Sequence, residues 1–260
     1  MKDKLSVCIV VYRNYDETLQ AIDTLNEFTP KEIKKTIYIV DNSEEYSSRH
    51  NLFETDVKKR NDVIYINTNE NIGFGKGHNR VLEILNSEYH CIMNPDIEFC
   101  EDAFSKIISY MDSNPGAGMI IPNIVNDQGV RQLVYREDPT VIDMFIRMFC
   151  KELFPKRVSK HTLQYKDYRS VFQVPFGQGS FLVIRTEIFI QLKGFDDRFF
   201  MYLEDADLCR RVNQISKLLY FPEATVIHKW EQGSHKNWKL FKVHISSMRK
   251  YFRKWGLKWI

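Results

Sequence analysis

The sequence predicts an α/β fold, with a mostly parallel central sheet flanked by helices and a helical extension at the C-terminus. Three observations carry this. Short apolar, β-branched runs recur along the first half of the chain, each ending abruptly in polar residues. Segments with apolar residues at helical spacing separate them, the alternation that builds a doubly wound sheet. The last stretch mixes basic and aromatic residues without a strand pattern.

Leu5 to Tyr12 is the first buried-strand run, broken by Arg13-Asn14-Tyr15-Asp16. Asp16 is placed to cap a helix carrying Leu19, Ile22 and Leu25, which stops before Pro30. Thr36 to Val40 is the second strand and ends in Asp41-Asn42-Ser43. Asp62 to Ile66 is the third, leading through a glycine cluster at Gly73-Phe74-Gly75-Lys76-Gly77 into a helix over Val81, Leu82 and Leu85. Tyr89 to Met93 is the fourth and ends in Asn94-Pro95-Asp96. Right-handed crossovers place all these strand ends on one edge, where ligands of such sheets bind. Asn14, Asp41, Asn42 and Asp96 are therefore expected in one crevice.

The second half is less regular. A helix from Asp102 to Met111 and a strand at Met119–Ile121 are followed by a hairpin arm at Gln128–Val134. An amphipathic segment, Val141–Leu153, puts Ile142, Phe145, Ile146, Phe149 and Leu153 on one side, with basic residues around it. Phe176–Ile184 reads as one glycine-led strand, Asp205–Ile215 as a helix, and Ala224–Ile227 as a last strand ending at His228. The predicted units are residues 1–230 as one domain, with halves 1–97 and 98–230, and 231–260 as a basic, aromatic helical tail.

A chain of 260 residues with 43% apolar content has ample material for a core. Its net charge of +3 is too small for bulk nucleic-acid binding. Five cysteines without a C-x-x-C pair indicate free thiols in a reducing compartment. A strand begins almost at the first residue, which leaves no room for a signal peptide, and no apolar stretch reaches the ~18 residues of a membrane span. The expected location is the cytoplasm, peripheral at the inner face of the cell membrane. The tail from Lys236 to Ile260, with Trp238, Trp255 and Trp259 among lysines and arginines, suits an interfacial helix on anionic lipid. The alternative for the tail is a helix pair packed on the core or a homodimer contact.

Asp96 alone is explained by a turn, since Asn-Pro-Asp is a good turn sequence. With Asp41 at another strand end and glycines between them, it becomes a candidate ligand for Mg²⁺ or Mn²⁺ beside phosphates. One carboxylate is a thin metal site, and His228 at a strand exit is the candidate second ligand. The glycine cluster fails the P-loop pattern, because Gly77 follows Lys76, and it fails the dinucleotide fingerprint at His78. A loop whose backbone approaches a ligand closely remains, with a purely structural turn as the alternative. Glu204-Asp205 opens a helix behind the aromatic run Phe195–Leu203. Acids suit a first helical turn through the macrodipole, but in so apolar a setting they are costly without a task. Asp205 is the candidate general base, with Glu204 the adjacent alternative.

These residues form an ordered series over about 5–230: Val10-Val11-Tyr12, Asp41-Asn42-Ser43, Asn71-Ile72-Gly73-Phe74-Gly75 through Asn79, Asn94-Pro95-Asp96, Gly177-Gln178-Gly179-Ser180, Gly194-Phe195-Asp196 and Glu204-Asp205-Ala206-Asp207-Leu208. The series resembles the family-2 inverting glycosyltransferases of the GT-A fold, and within them bacterial rhamnosyltransferases of cell-wall and O-antigen polysaccharide synthesis. The resemblance implies that Val11, Tyr12, Asp41, Asn71, Gly73, Asn79 and Asn94 bind the nucleotide sugar. It also implies that Asp96 binds the metal and that Asp205 deprotonates the acceptor hydroxyl. The same resemblance implies nucleotide binding for the 1–97 half and acceptor binding for the 98–230 half. Asn94-Pro95-Asp96 departs from the family's acidic D-x-D, so the metal site leans on His228; Arg13 departs from the family's asparagine after Tyr12. The implied donor is dTDP-β-L-rhamnose, or UDP-galactofuranose, UDP-glucose or UDP-N-acetylglucosamine, and the implied acceptor a polyprenyl-diphosphate-linked saccharide. A non-catalytic nucleotide- or glycan-binding scaffold is the reading from another class.

Overall fold

A computed structural model describes residues 2–44, 47–229 and 238–260. The chain runs β1 (Asp3–Val11), α1 (Tyr15–Phe28), β2 (Lys35–Asp41), α2 (Ser48–Lys58), β3 (Val63–Asn67), α3 (Phe74–Asn79), β4 (Ser87–Met93) and β5 (Ile97–Phe99). It continues through α4 (Ala103–Ser113), β6 (Ala117–Val125), β7 (Tyr135–Arg136), α5 (Val141–Phe149), α6 (Pro155–His161), β8 (Phe172–Gln173) and β9 (Phe176–Gly177). The rest is β10 (Phe181–Arg185), α7 (Thr186–Gln191), α8 (Glu204–Ile215), β11 (Lys217–His228) and α9 (Trp238–Trp255). The expected start of the tail at 231 lies outside the described residues.

Among the described residues the main sheet has nine strands in the order β3-β2-β1-β4-β10-β6-β11-β5, with β8 on β11. β1 through β4 are parallel, and β6 and β11 continue that direction. β10 runs antiparallel between β4 and β6. The expected continuous run Phe176–Ile184 is therefore two strands, because the backbone breaks between them for other work. The N–H of Gly179 donates to Asp205 Oδ2 (3.1 Å), and the Ser180 carbonyl accepts the Asn94 N–H (2.8 Å). Phe176–Gly177 pairs instead with β7 in a separate two-stranded sheet. One hydrophobic core spans both predicted halves, from Leu5 and Ile9 through Phe104 and Phe181 to Leu218.

Several local expectations change. Asp16 lies inside the first turn of α1, while Asn14 occupies the cap position and accepts the Tyr12 N–H (3.0 Å). The helix expected over Val81–Leu85 begins earlier, inside the glycine cluster, and leaves only a 3₁₀ turn at Leu82–Ile84. The 128–134 arm is reduced to one bridge, Val125 to Arg131, and the paired residues are Tyr135 and Arg136. α5 ends at Phe149, and it buries Met144 and Ile146 while Phe145, Phe149 and the following Leu153 stay exposed. Of the apolar side expected for this segment, Ile146 faces the core while Phe145, Phe149 and Leu153 form an outward stripe.

The tail packs where it can be described. Tyr251 and Phe252 are buried, Trp255 Nε1 donates to Asp207 Oδ1 (2.8 Å), and Lys254 Nζ reaches the same oxygen (2.6 Å) and Asp196 (2.7 Å). Asp207 is fully buried and also pairs with Arg211 (2.8 Å), so three cationic or donor groups satisfy one enclosed carboxylate. α9 therefore braces the loop that presents α8. Trp238, Leu257, Trp259 and Ile260 remain exposed. No helix among the described residues is long and apolar enough to cross a membrane.

Candidate active site

The parallel ends of β1, β2 and β4 gather the predicted residues at one edge of the sheet. Val11 stands in register with Asp41, and the Asn42 N–H donates to the Val11 carbonyl (2.8 Å). Tyr12 is 42% exposed, with the Arg13 guanidinium 5.0 Å from its ring centre. Arg13 adopts φ 67°, held by its N–H to Ser43 Oγ (3.0 Å). The inserted arginine thus turns the chain at the lip of the crevice. Asp41 is enclosed: Oδ1 accepts the Ser43 N–H (2.9 Å), and Oδ2 accepts the Tyr65 hydroxyl (2.9 Å) beside His50 Nε2 (3.2 Å). Its carboxylate anchors the floor beneath the β2 turn.

The glycine cluster explains itself by close packing against the protein, where ligand approach was expected. Gly73 has φ +89°, and a Cβ there would lie 2.2 Å from the Phe200 carbonyl oxygen. At Gly75 it would meet Phe195 at 2.9 Å, and at Gly77 it would meet Val10 at 2.8 Å. Asn71 Oδ1 accepts the Gly73 N–H (3.1 Å), and Asn42 Nδ2 donates to the Gly73 carbonyl (3.1 Å). Asn79 is spent on the opposite loop: it donates to the Phe195 carbonyl (2.8 Å) and to Asp197 (2.7 Å), and it accepts the Phe195 N–H (2.8 Å). α3 is therefore the hinge pin between the β2–β3 edge and the segment leading to Asp205.

Asp96 and His228 meet. β11 ends at His228, whose Nε2 lies 3.4 Å from Asp96 Oδ1, and the Lys229 N–H donates to the Asp96 carbonyl (3.0 Å). Gln132, which sequence reasoning missed, fixes the ring. Its Nε2 donates to the His228 carbonyl (2.7 Å), which can only accept, so its Oε1 must face His228 Nδ1 (2.9 Å). Nδ1 therefore carries the proton, and the Nε2 lone pair points at a carboxylate oxygen. Two acceptors aimed at each other are reconciled by a cation or a proton between them, and Asp96 Oδ1 has no hydrogen-bond partner among the described residues. The residues fit a divalent ion. No group of three or more His, Cys, Asp or Glu side chains that could hold a metal occurs among the described residues.

Asp205 and Glu204 open α8 after Tyr202 and Leu203, both at positive φ. Asp205 is half-buried and accepts the Gly179 N–H and the Ala206 N–H (2.8 Å). Burial pushes its carboxyl up, while those N–H donors and the Arg136 guanidinium work the other way. Glu204 is only 5% exposed, its Oε2 has no hydrogen-bond partner among the described residues, and burial followed by the Asp205 charge pushes it well above the usual glutamate range. Of the two, Asp205 ionises first and Glu204 keeps its proton.

Three consecutive residues tie the site together. Gln178 Oε1 accepts from Arg136 Nη2 (3.0 Å), the Gly179 N–H holds Asp205, and the Ser180 carbonyl holds the Asn94 N–H at the head of the Asp96 turn. A Cβ on Gly179 would stand 3.1 Å from Asp205 Cβ and 3.5 Å from Phe74 of the glycine cluster. One backbone segment therefore joins Asp205 to the Asp96 turn and lies against the glycine cluster, although these lie far apart in sequence.

Known proteins bear on the family and the fold. The model for glycosyl transferase family 2 matches residues 6–193. An N-acetylglucosaminyl-diphospho-decaprenol L-rhamnosyltransferase of Mycobacterium tuberculosis is 26% identical over 243 residues, covering 88% of this chain and 76% of the relative. The rhamnosyltransferase WbbL of Escherichia coli is 27% identical over 190 residues, covering 68% and 70%. Among solved structures, GalNAc-T7 with UDP, GalNAc and Mn²⁺ superposes at TM-score 0.72 with 16% identity, over 97% of this chain and 48% of that one. The mannosyltransferase PcManGT of Pyrobaculum calidifontis, in complex with GDP-Man and Mn²⁺, gives 0.65 with 12% identity, over 97% and 65%. The fold is GT-A, and the chain belongs to glycosyl transferase family 2.

Proposed function

We propose that this glycosyltransferase moves L-rhamnose from dTDP-β-L-rhamnose onto a hydroxyl of a lipid-linked saccharide, with inversion, in bacterial cell-surface polysaccharide synthesis. The observation that carries the reading is the facing pair Asp96 and His228, one backbone segment away from Asp205. Relatives named as rhamnosyltransferases, one of them acting on a diphospho-decaprenol sugar, favour this donor and this acceptor class. In this reading residues 1–97 bind the nucleotide and 98–230 the acceptor. Val11, Tyr12 and Asp41 shape the nucleoside end of the crevice, while Asn71, Gly73 and Asn79 hold the wall beside it. Asn94 and Asp96 face the diphosphate.

Asp96 and His228 would hold Mg²⁺ or Mn²⁺, which when bound neutralises charge on the departing nucleoside diphosphate. Asp205 takes the proton of the acceptor hydroxyl, and its two backbone donors fix the carboxylate's orientation while leaving it room to accept. Glu204, buried and protonated, positions the start of α8. Attack from the side opposite the leaving group inverts the anomeric centre and gives an α-L-rhamnoside. We assign the exposed Trp238 end of α9, with its lysines, and the Phe145–Phe149–Leu153 stripe to peripheral contact with the cytoplasmic membrane face.

Calorimetry of dTDP- and UDP-sugars with Mg²⁺ or Mn²⁺ tests the donor, with tightest binding expected for dTDP-rhamnose. UDP-galactofuranose, UDP-glucose or UDP-N-acetylglucosamine binding more tightly would replace it. Asp205→Asn separates enzyme from scaffold: nucleotide affinity persists and sugar transfer disappears if the chain is catalytic.

A further inference from the structure

Two guanidiniums whose charge is felt by Asp205 form no ion pair with a carboxylate among the described residues. Arg136, on β7, is 9% exposed; one nitrogen donates to Gln178, its Nε has no hydrogen-bond partner among the described residues, and its carbon lies 5.4 Å from the Phe176 ring centre. Arg147, on α5, is half-buried and forms no ion pair with any described carboxylate. The obvious counterion, Asp143, lies one turn earlier on the same face, but it is already engaged. It accepts from Arg157 (2.7 Å) and from the Thr140 hydroxyl (2.6 Å), and it lies 3.7 Å from His161 Nδ1. Burial and then the Arg147 charge push Arg136 down, while Asp205 raises both guanidiniums. Two guanidiniums thus share the charge of one carboxylate, Asp205, and the positive charge left over has an anion as its natural complement.

Position says which anion. Gln178, Gly179 and Ser180 hold Arg136, Asp205 and the Asn94–Asp96 turn in that order. Asp205 is thus tied to Arg136 and to the Asp96 turn through one three-residue segment. The donor diphosphate would fall to the Asp96–His228 pair through its cation, so an anion held by the arginines is assigned to the acceptor, whose hydroxyl Asp205 serves. α5 also carries the exposed Phe145 and Phe149, with ring centres 5.1 Å apart, on the helix that supplies Arg147.

We propose that Arg136 and Arg147 form a second anion subsite, which grips the diphosphate of a prenyl-diphosphate-linked acceptor and sets its sugar hydroxyl on Asp205. The proposal rests on the acceptor class given under the proposed function. It assigns to that class two residues that bear no part in donor binding.

The test measures equilibrium binding of geranyl diphosphate, geraniol and dTDP·Mn²⁺ to the full chain and to Arg147→Gln, Arg136→Gln, Arg147→Lys and the surface control Lys160→Gln. Circular dichroism first confirms folding, and Arg147→Gln, at the less enclosed position, serves if Arg136→Gln does not fold. Geranyl diphosphate should bind about tenfold more weakly to each glutamine variant, with partial recovery in Arg147→Lys. Affinity for dTDP·Mn²⁺ should stay within about twofold, and Lys160→Gln should behave as the parent chain. The proposal is overturned if the parent chain does not bind geranyl diphosphate, if Arg147→Gln binds it unchanged, or if Lys160→Gln weakens it equally. A matching loss of dTDP·Mn²⁺ affinity would hand the arginines to the donor. No step of this assay needs turnover, so bound geranyl diphosphate without sugar transfer from any donor sinks the proposed function and leaves the subsite standing.

Discussion

His228 presents Nε2 to Asp96 Oδ1 across 3.4 Å, with its other nitrogen locked on Gln132. Each partner supplies a lone pair, so the pair is complete only with a cation or an extra proton between them. Gln132→Ala releases the ring without removing a ligand. It should raise the Mn²⁺ concentration needed for nucleotide binding by about tenfold, and His228→Ala by more. Titrating Mn²⁺ against dTDP fluorescence quenching reads both, and unchanged Mn²⁺ dependence in His228→Ala would remove the histidine from the site.

Asp205 and Glu204 are adjacent yet unequal. Asp205 meets two backbone donors and the field of Arg136, whereas Glu204 has a buried oxygen without a hydrogen-bond partner. Asp205→Asn should lower kcat by about 10³-fold, and Glu204→Gln, isosteric with the protonated acid, by less than about tenfold. A reversed order would move the base to Glu204. Because burial raises Asp205, the acidic limb of kcat/KM should lie above the ordinary aspartate value of 3.8.

His90 is fully buried against Ser6 (2.8 Å) and Phe189, and burial lowers it from 6.5 to about 3. The unfolded chain therefore takes up a proton near pH 6.5 that the folded chain refuses until about pH 3. The neutral ring's contribution to stability is whole above pH 6.5 and is lost as pH falls through that window. The loss amounts to about 1.4 kcal/mol per pH unit for this one group. Urea unfolding of the parent and His90→Gln between pH 7 and about pH 4 should differ in slope by one proton. Parallel curves would refute the assignment.

Gly73 cannot carry a side chain. A Cβ would collide with the Phe200 carbonyl in a conformation of positive φ. Gly73→Ala should cost about 2 kcal/mol or more in unfolding free energy and weaken nucleotide binding, because the Asn42–Gly73–Phe200 seam would open. Equal Tm in variant and parent would count against this packing.

Trp238 and Trp255 sit on the same helix with opposite surroundings: one 67% exposed, the other bonded to buried Asp207. Trp238→Ala should leave Tm unchanged and reduce flotation with anionic liposomes. Trp255→Ala should lower Tm by several degrees, in line with a loss of about 1–2 kcal/mol. If both variants float like the parent, α9 is a brace only.

The strand ends at Val11, Asp41 and Asp96, the helix opened by Glu204-Asp205 and the exit of β11 at His228 were legible in the sequence, because apolar runs and polar stops are written locally. The resemblance ordered them into a family. What local pattern cannot carry is which distant segment fills a given space. Periodicity grouped Phe145, Ile146 and Phe149 on one side without saying what covers it, and α5 turns Met144 and Ile146 to the core while Phe145 and Phe149 stay exposed. The glycines of α3 read as a ligand loop because nothing nearby in sequence announces Phe200, Phe195 and Val10 as their neighbours. Gln132 and Arg136 left no signal, being ordinary polar residues in an irregular stretch. The sequence by itself determined the order of the strands and the chemistry at their ends. Tertiary structure alone decided the antiparallel β10, the tautomer of His228 and the arginines left facing Asp205, since each depends on side chains meeting across more than forty positions of chain.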